Sequence, residues 1–255
     1  MGEPARYLYA VCRGVDPAAL DGVPALGGGT VELVDVLDLQ AAVSTVDLDE
    51  FGEEAMRTNL EQLPWLERTA RGHDLVVQSC AAAAPTAPMR LATICLDDES
   101  VRLRLEEWYD DLVAALDRVT GREEWSVKVF AHPRAAQRAE SAEPAAVGGG
   151  AAYLRRKKAA TEERRSVEAA AASAAEEVDS VLRGTAVAAR RLRPQDPRIS
   201  GHEATMLLNG AYLVDSVRSA DFAKQVAEMV GLHPQVSVAC DGPWPPYSFA
   251  TLEDR

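Results

Sequence analysis

The sequence predicts an α+β protein in two domains, and three observations carry that prediction. Stretches of apolar residues with a period of two alternate with stretches that recur every three or four residues. A segment rich in alanine, proline, glutamate and glycine, Pro133 to Gly150, separates two such mixed regions. The chain then closes on Gly242 to Phe249 (GPWPPYSF), too rich in proline for a helix or a central strand. The expected division is a domain at 1–132, a linker at 133–150 and a domain at 151–255. The second domain is led by a long helix and ended by an extended Pro/aromatic tail. At 255 residues, two modest domains are preferred to one large one.

In the first domain, Arg6–Cys12 is aromatic and β-branched enough for a strand. Gly14–Gly29 reads as loop. Thr30–Val36 and Gln40–Val46 form a hairpin around Leu37–Leu39. Leu63, Leu66, Ala70, His73, Val77 and Cys80 mark one helix face, with Pro64 tolerated in its first turn. Ala81–Pro88 breaks that helix, and Met89–Leu96 reads as a buried strand. Val101, Leu105, Trp108, Leu112, Leu116 and Val119 define a single helix, capped by Asp97 or Asp98 and stopped at Gly121. Trp125–Ala131 alternates as a strand. The expected layout is a sheet with helices on one face.

In the second domain, Ala151 to about Arg191 is one long helix with a narrow stripe of Val167, Ala171, Ala174, Val178 and Val181, ended or kinked near Gly184. Pro194–Gly201 is a turn. Asn209-Gly210 is a hairpin signal between strands Thr205–Leu208 and Ala211–Val214, although the run also fits one bulged strand. Phe222, Val226, Met229 and Val230 line a helix that starts at Ser219, and Gln235–Cys240 is a final strand. The order β-β-α-β after a leading helix is ferredoxin-like. The tail is expected to be extended and polyproline-like.

The net charge of −13 makes nucleic acid and anionic membrane poor partners and points to proteins. Cys12, Cys80, Cys95 and Cys240 show no metal-ligand spacing and are read as free thiols in a reducing compartment. Met1–Arg6 lacks a signal-peptide layout, and no apolar run approaches the roughly 20 residues a membrane span needs. The expected location is cytoplasmic.

Candidate chemistry is sparse. His73 lies on an apolar stripe, where a hydrogen-bonded core histidine is the simpler reading than a ligand or general base. His132, His202 and His233 stand apart from one another. Arg90 is read as half of an ion pair at a strand end. Gly27–Gly29 precedes a strand, and Gly148–Gly150 precedes a helix without a following Lys-Ser/Thr, so both are read as flexible loops and not phosphate cradles. Arg155–Lys158 is read as a solvated basic helix face, with docking onto an acidic protein as its alternative. No catalytic residue, cofactor or metal site is predicted. Dense aromatics in the tail must bury themselves on their own chain or on a partner.

Several motifs together resemble the gas vesicle protein F/L family. They are Arg6-Tyr7-Leu8-Tyr9-Ala10, Trp65-Leu66-Glu67 with His73, and Pro88-Met89-Arg90-Leu91-Ala92-Thr93-Ile94. They continue with Glu124-Trp125-Ser126-Val127-Lys128-Val129, Gly150-Ala151-Ala152-Tyr153-Leu154, Asn209-Gly210-Ala211-Tyr212-Leu213-Val214 and the GPWPPYSF tail. Leu91 and Ala92 replace a phenylalanine and a glycine of the family pattern, and Ser126 replaces another glycine. The resemblance implies a two-domain α+β fold with ferredoxin-like elements and a non-enzymatic role in gas vesicle formation. It further implies binding to the hydrophobic main shell protein, gas vesicle protein A, other gas vesicle accessory proteins as possible partners, and a place as a minor vesicle component. Candidate partner-binding residues are Trp244, Pro245, Pro246, Tyr247 and Phe249 of the tail, with Tyr153 and Leu154 of the long helix. A purely structural component of the vesicle and a small-molecule enzyme on a ferredoxin-like scaffold are the alternatives.

Overall fold

The computed structural model describes residues 2–132, 150–195 and 204–250, with side chains in the middle segment from 153 onward. Most of the expected linker at 133–150, Gly148 and Gly149, the end of the Pro194–Gly201 turn, and His202 lie outside the described residues. Two compact units emerge: Met1–Glu123 together with Trp244–Arg255, and Glu124–Pro243. These bounds differ from the expected 1–132, 133–150 and 151–255.

In the first unit, β1 (Pro4–Cys12), β2 (Glu32–Val36), β3 (Leu39–Asp47) and β4 (Thr86–Pro88) lie in the order β2-β3-β1-β4, and β5 (Ile94–Cys95) also pairs with β1. β1 runs antiparallel to β3 with Tyr7 opposite Ser44, and the expected β2–β3 hairpin closes with Val36 opposite Leu39. Two short helices follow that the sequence did not announce, α1 (Leu48–Phe51) and α2 (Glu53–Asn59), and then α3 (Leu63–Ala83). The expected single helix from 101 to 119 is two, α4 (Asp98–Glu107) and α5 (Tyr109–Val119). Trp108 leaves helical geometry between them at φ −101° and ψ 11°.

The helices are not confined to one sheet face. Neighbouring strand residues point to opposite faces. Tyr7 meets His73 of α3, while Arg6 reaches Asp98 of α4 at 2.7 Å. Covering on both sides explains why Tyr7 to Val11 of β1 are completely buried. The expected strand Met89–Leu96 is also absent as such. β4 falls in the predicted break, and the chain then turns through Ala92 at φ +64° before the two-residue β5.

The second unit pairs β6 (Arg122–Ala131), β7 (Ala188–Arg191), β8 (Met206–Asp215) and β9 (Val236–Trp244) in the order β7-β8-β6-β9, with α6 (Gly150–Thr185) and α7 (Ser219–Leu232) as crossovers. That is the β-α-β-β-α-β strand order of ferredoxin-like folds. The first sheet repeats the same order, with short 3-10 turns at Pro17–Leu20 and Leu26–Gly28 in place of its first crossover helix. α6 ends at Thr185, next to the Gly184 stop that the sequence offered and short of Arg191, and the residues after it supply β7. Its buried side, Ala171, Ala174, Ala175, Val178 and Leu182, packs into a core with Val127, Tyr212 and Phe222.

Asn209-Gly210 does not turn the chain. Both lie inside the continuous β8. A Cβ on Gly210 would sit 2.6 Å from the Tyr212 ring, so glycine here makes room for a neighbouring aromatic on the same face. The tail differs as well. β9 continues through Trp244, an edge position that accepts Pro243, and α8 (Tyr247–Ala250) forms a single helical turn in place of the extended segment.

Candidate functional site

The candidate residues are built on three local arrangements. In the first unit, β1 and α3 bring Tyr7, Tyr9 and His73 together under the core. Ala92 N–H donates to Tyr7 Oη at 2.9 Å, and the same hydroxyl shares a hydrogen bond of 3.1 Å with His73 Nδ1, its direction set by the imidazole tautomer. The other ring nitrogen, Nε2, is sealed from solvent with no partner in hydrogen-bonding geometry among the described residues. Burial pushes the His73 pKa down to about 4, against the opposing pull of Asp74 and the Met89 backbone. This is a core histidine held by tyrosines, as the simpler reading had it.

Beside it, Leu26 N–H donates to Tyr9 Oη at 2.8 Å, Tyr9 donates to Ser44 Oγ at 2.7 Å, and Ser44 donates back to Leu26 O at 3.0 Å. The closed ring of bonds fastens the Leu26–Gly28 turn to the sheet. Gly27–Gly29 thus leads from an anchored turn, not from the loose loop predicted.

The tail residues separate into two groups. Pro245, Pro246 and Phe249 are buried, and Tyr247 is half-buried. Tyr247 donates to Asp74 Oδ1 at 3.1 Å, and Arg118 donates to the Phe249 carbonyl at 2.9 Å. These four side chains are engaged by α3, α5 and the tail's own turn, so they offer little to a partner in the folded chain. Trp244 is the exception, at 43% exposure.

In the second unit, Tyr153 and Leu154 are 49% and 65% exposed near the start of α6. Further along that helix, Asp179 is almost fully buried. Tyr212 donates to its Oδ1 at 2.6 Å, and Arg183 and Arg191 donate to its Oδ2 at 2.8 and 2.9 Å. Burial alone would raise the Asp179 pKa, but the Tyr212 hydroxyl and the two guanidinium groups overcome it and hold the carboxyl below the usual range. The sequence reading missed this cluster. Its one signal was an aspartate on the buried side of an alanine-rich stripe.

Among the described residues, each unit carries an open hollow. The first, about 290 Å³, lies between the Pro24–Gly27 turn and α3, and Leu26, Phe51 and Leu75 give it apolar walls. The second, about 280 Å³, lies beside α7 among Arg218, Asp221, Lys224 and Glu228. Neither is lined by a histidine, cysteine or serine. Cys12, Cys80 and Cys95 are buried free thiols, and Cys240 is half-buried. Among the described residues, no group of three metal-ligating side chains converges, and no helix is long and apolar enough to cross a membrane.

Comparison with known proteins adds a consistent result. The family model described as gas vesicle synthesis protein GvpL/GvpF matches residues 5–251. A gas vesicle protein L from Streptomyces sp. (strain CB03234) is 40% identical over 253 residues, 98% of this chain and 94% of that protein. Among solved structures, the gas vesicle protein GvpF from Anabaena sp. PCC7120 superposes with a TM-score of 0.68 at 17% identity, over 98% of each chain. GvpF from Microcystis aeruginosa gives 0.65 at 15% identity, over 97% of this chain and 99% of that one. At such identities the structural likeness speaks for the fold.

Proposed function

This chain belongs to the gas vesicle synthesis protein GvpL/GvpF family, and on that footing we propose that it is a cytoplasmic accessory protein that binds gas vesicle protein A, the main hydrophobic shell protein, before it polymerises. The observation that carries the reading is Trp244. Of the aromatics Trp244, Tyr247 and Phe249, Trp244 is the one that stays exposed, at 43%, and tryptophan is among the side chains enriched at binding hot spots.

The mechanism is coverage. Apolar strands left open pair with one another and aggregate. A binder that occupies such surface lowers the free concentration of the aggregating species by mass action. A net charge of −13 then keeps the complex dispersed by repulsion. No bond is made or broken. Other gas vesicle accessory proteins are further partners in this reading, and the chain stays with the vesicle as a minor component. Tyr153 and Leu154 sit among cations, a setting that suits a charged partner better than a bare apolar one.

The test is turbidity of gas vesicle protein A diluted from denaturant, with and without equimolar folded chain. Suppressed aggregation is expected. Aggregation at the same rate and extent contradicts the proposal.

A further inference from the structure

α6 is 36 residues long, about 54 Å of helix, but only its second half is packed. From Ala171 onward one side is buried through Ala174, Ala175, Val178 and Leu182. From Tyr153 to Ala170 no residue is buried, and only Ala160 and Val167 reach half-burial.

The packing stops, yet the repeat that produced it does not. Stepping back by heptads from Ala174 gives Val167, Ala160 and Tyr153, and from Ala171 it gives Arg164 and Lys157. The seam thus changes from apolar to apolar-and-basic where its cover ends. Around it stand Arg155, Arg156, Lys158 and Arg165. Six cations face three carboxylates, Glu162, Glu163 and Glu168, in a chain whose net charge is −13. Two of those carboxylates lie beside cations one turn away, Glu162 at 3.9 Å from Lys158 and Glu168 at 2.8 Å from Arg164.

We propose that the first half of α6 is a docking arm for an acidic, amphipathic helix of another protein. A seam of heptad period is matched by a second helix laid along it. Lys157 within that seam and the local excess of cations over carboxylates call for acidic side chains opposite, and Tyr153, Ala160 and Val167 call for apolar side chains at the intervening positions. A second copy of this arm would place cations against cations. A phosphate backbone would leave the apolar members of the seam uncovered, and the field of an acidic chain opposes its approach. The inference goes beyond shell-protein binding and uses a different surface.

The experiment is fluorescence anisotropy with the full chain and three labelled probes. One is a synthetic three-heptad helix with leucine and glutamate at its facing positions. The second has lysine in place of that glutamate, and the third is a double-stranded DNA oligonucleotide. The wild type should bind the acidic helix in a salt-dependent way and ignore the lysine helix. Lys157→Glu combined with Arg164→Glu should lose roughly tenfold or more in affinity for the acidic helix and gain the lysine helix. Both substitutions are at exposed positions, and an unchanged circular dichroism spectrum and shell-protein pull-down would show that the rest of the chain is intact. Equal binding of both helices, unchanged affinity in the double variant, or tighter binding of DNA than of the acidic helix overturns the proposal.

Discussion

Tyr7 accepts from Ala92 and shares a hydrogen bond with His73, and the burial of that imidazole gives the first unit a pH dependence with a definite sign. An unfolded histidine titrates near 6.5, whereas His73 in the fold titrates at about 4. Between those values the unfolded chain holds a proton that the folded chain excludes. The His73 contribution is therefore complete above pH 6.5 and is lost as pH falls toward 4, by up to about 3 kcal/mol. Urea unfolding at pH 7, 5.5 and 4 should show wild type losing more stability than His73→Gln, and equal losses would contradict the assignment. Asp179 makes a second case. Asp179→Asn keeps the volume but removes the charge that Arg183 and Arg191 share, and should cost about 2–4 kcal/mol at pH 7. Tyr212→Phe should cost about 1–2 kcal/mol, and the double variant less than the sum, because both act on one network. His73 was legible as a buried residue from its place on the α3 stripe. Its partners were not, since Tyr7 and Ala92 are joined to it only by the folding of β1 and the turn before β5.

At the level of elements, α6 is the clearest case of one helix with two stabilities. Residues 171–182 are held by the core, whereas 153–170 rest on helix propensity and exposed ion pairs, each worth only a few tenths of a kcal/mol. Amide hydrogen exchange of the free chain should be fast across 153–170 and slower by orders of magnitude across 171–182. Uniform protection would contradict this division. Periodicity located α3 and α7 well, because each carries a regular stripe facing one layer, whereas β1, buried on both faces, was legible from its aromatic and β-branched composition. It failed where a local rule met a tertiary demand. Asn209-Gly210 obeys hairpin chemistry, yet Gly210 is there for the Tyr212 ring. Trp108 continues an apolar stripe, yet the backbone breaks at it. Ala92 stands where the family pattern has glycine, and its φ of +64° shows why glycine suits the position.

On the scale of the whole molecule, the two units share one strand order, and the chain finishes in the unit where it began. The Pro/aromatic tail made the family visible in the sequence, but its ring contacts decide how much of it is available. That a tail rich in aromatics must be buried somewhere followed from composition. That Phe249 and the two prolines turn inward while Trp244 stays out depended on where β9 ends and α8 begins. Truncating 242–255 would remove the buried Phe249 and so confound lost binding with lost folding. Trp244→Ala is the cleaner change, because a half-exposed edge residue carries little of the core. The decisive measurement is retention of gas vesicle protein A by immobilised wild-type and Trp244→Ala chains at micromolar concentration, with unfolding midpoints recorded for both. Wild type should retain it and Trp244→Ala should bind about tenfold more weakly or less, at nearly unchanged stability. No retention by folded wild type, or equal retention by the two, would contradict shell-protein capture through Trp244.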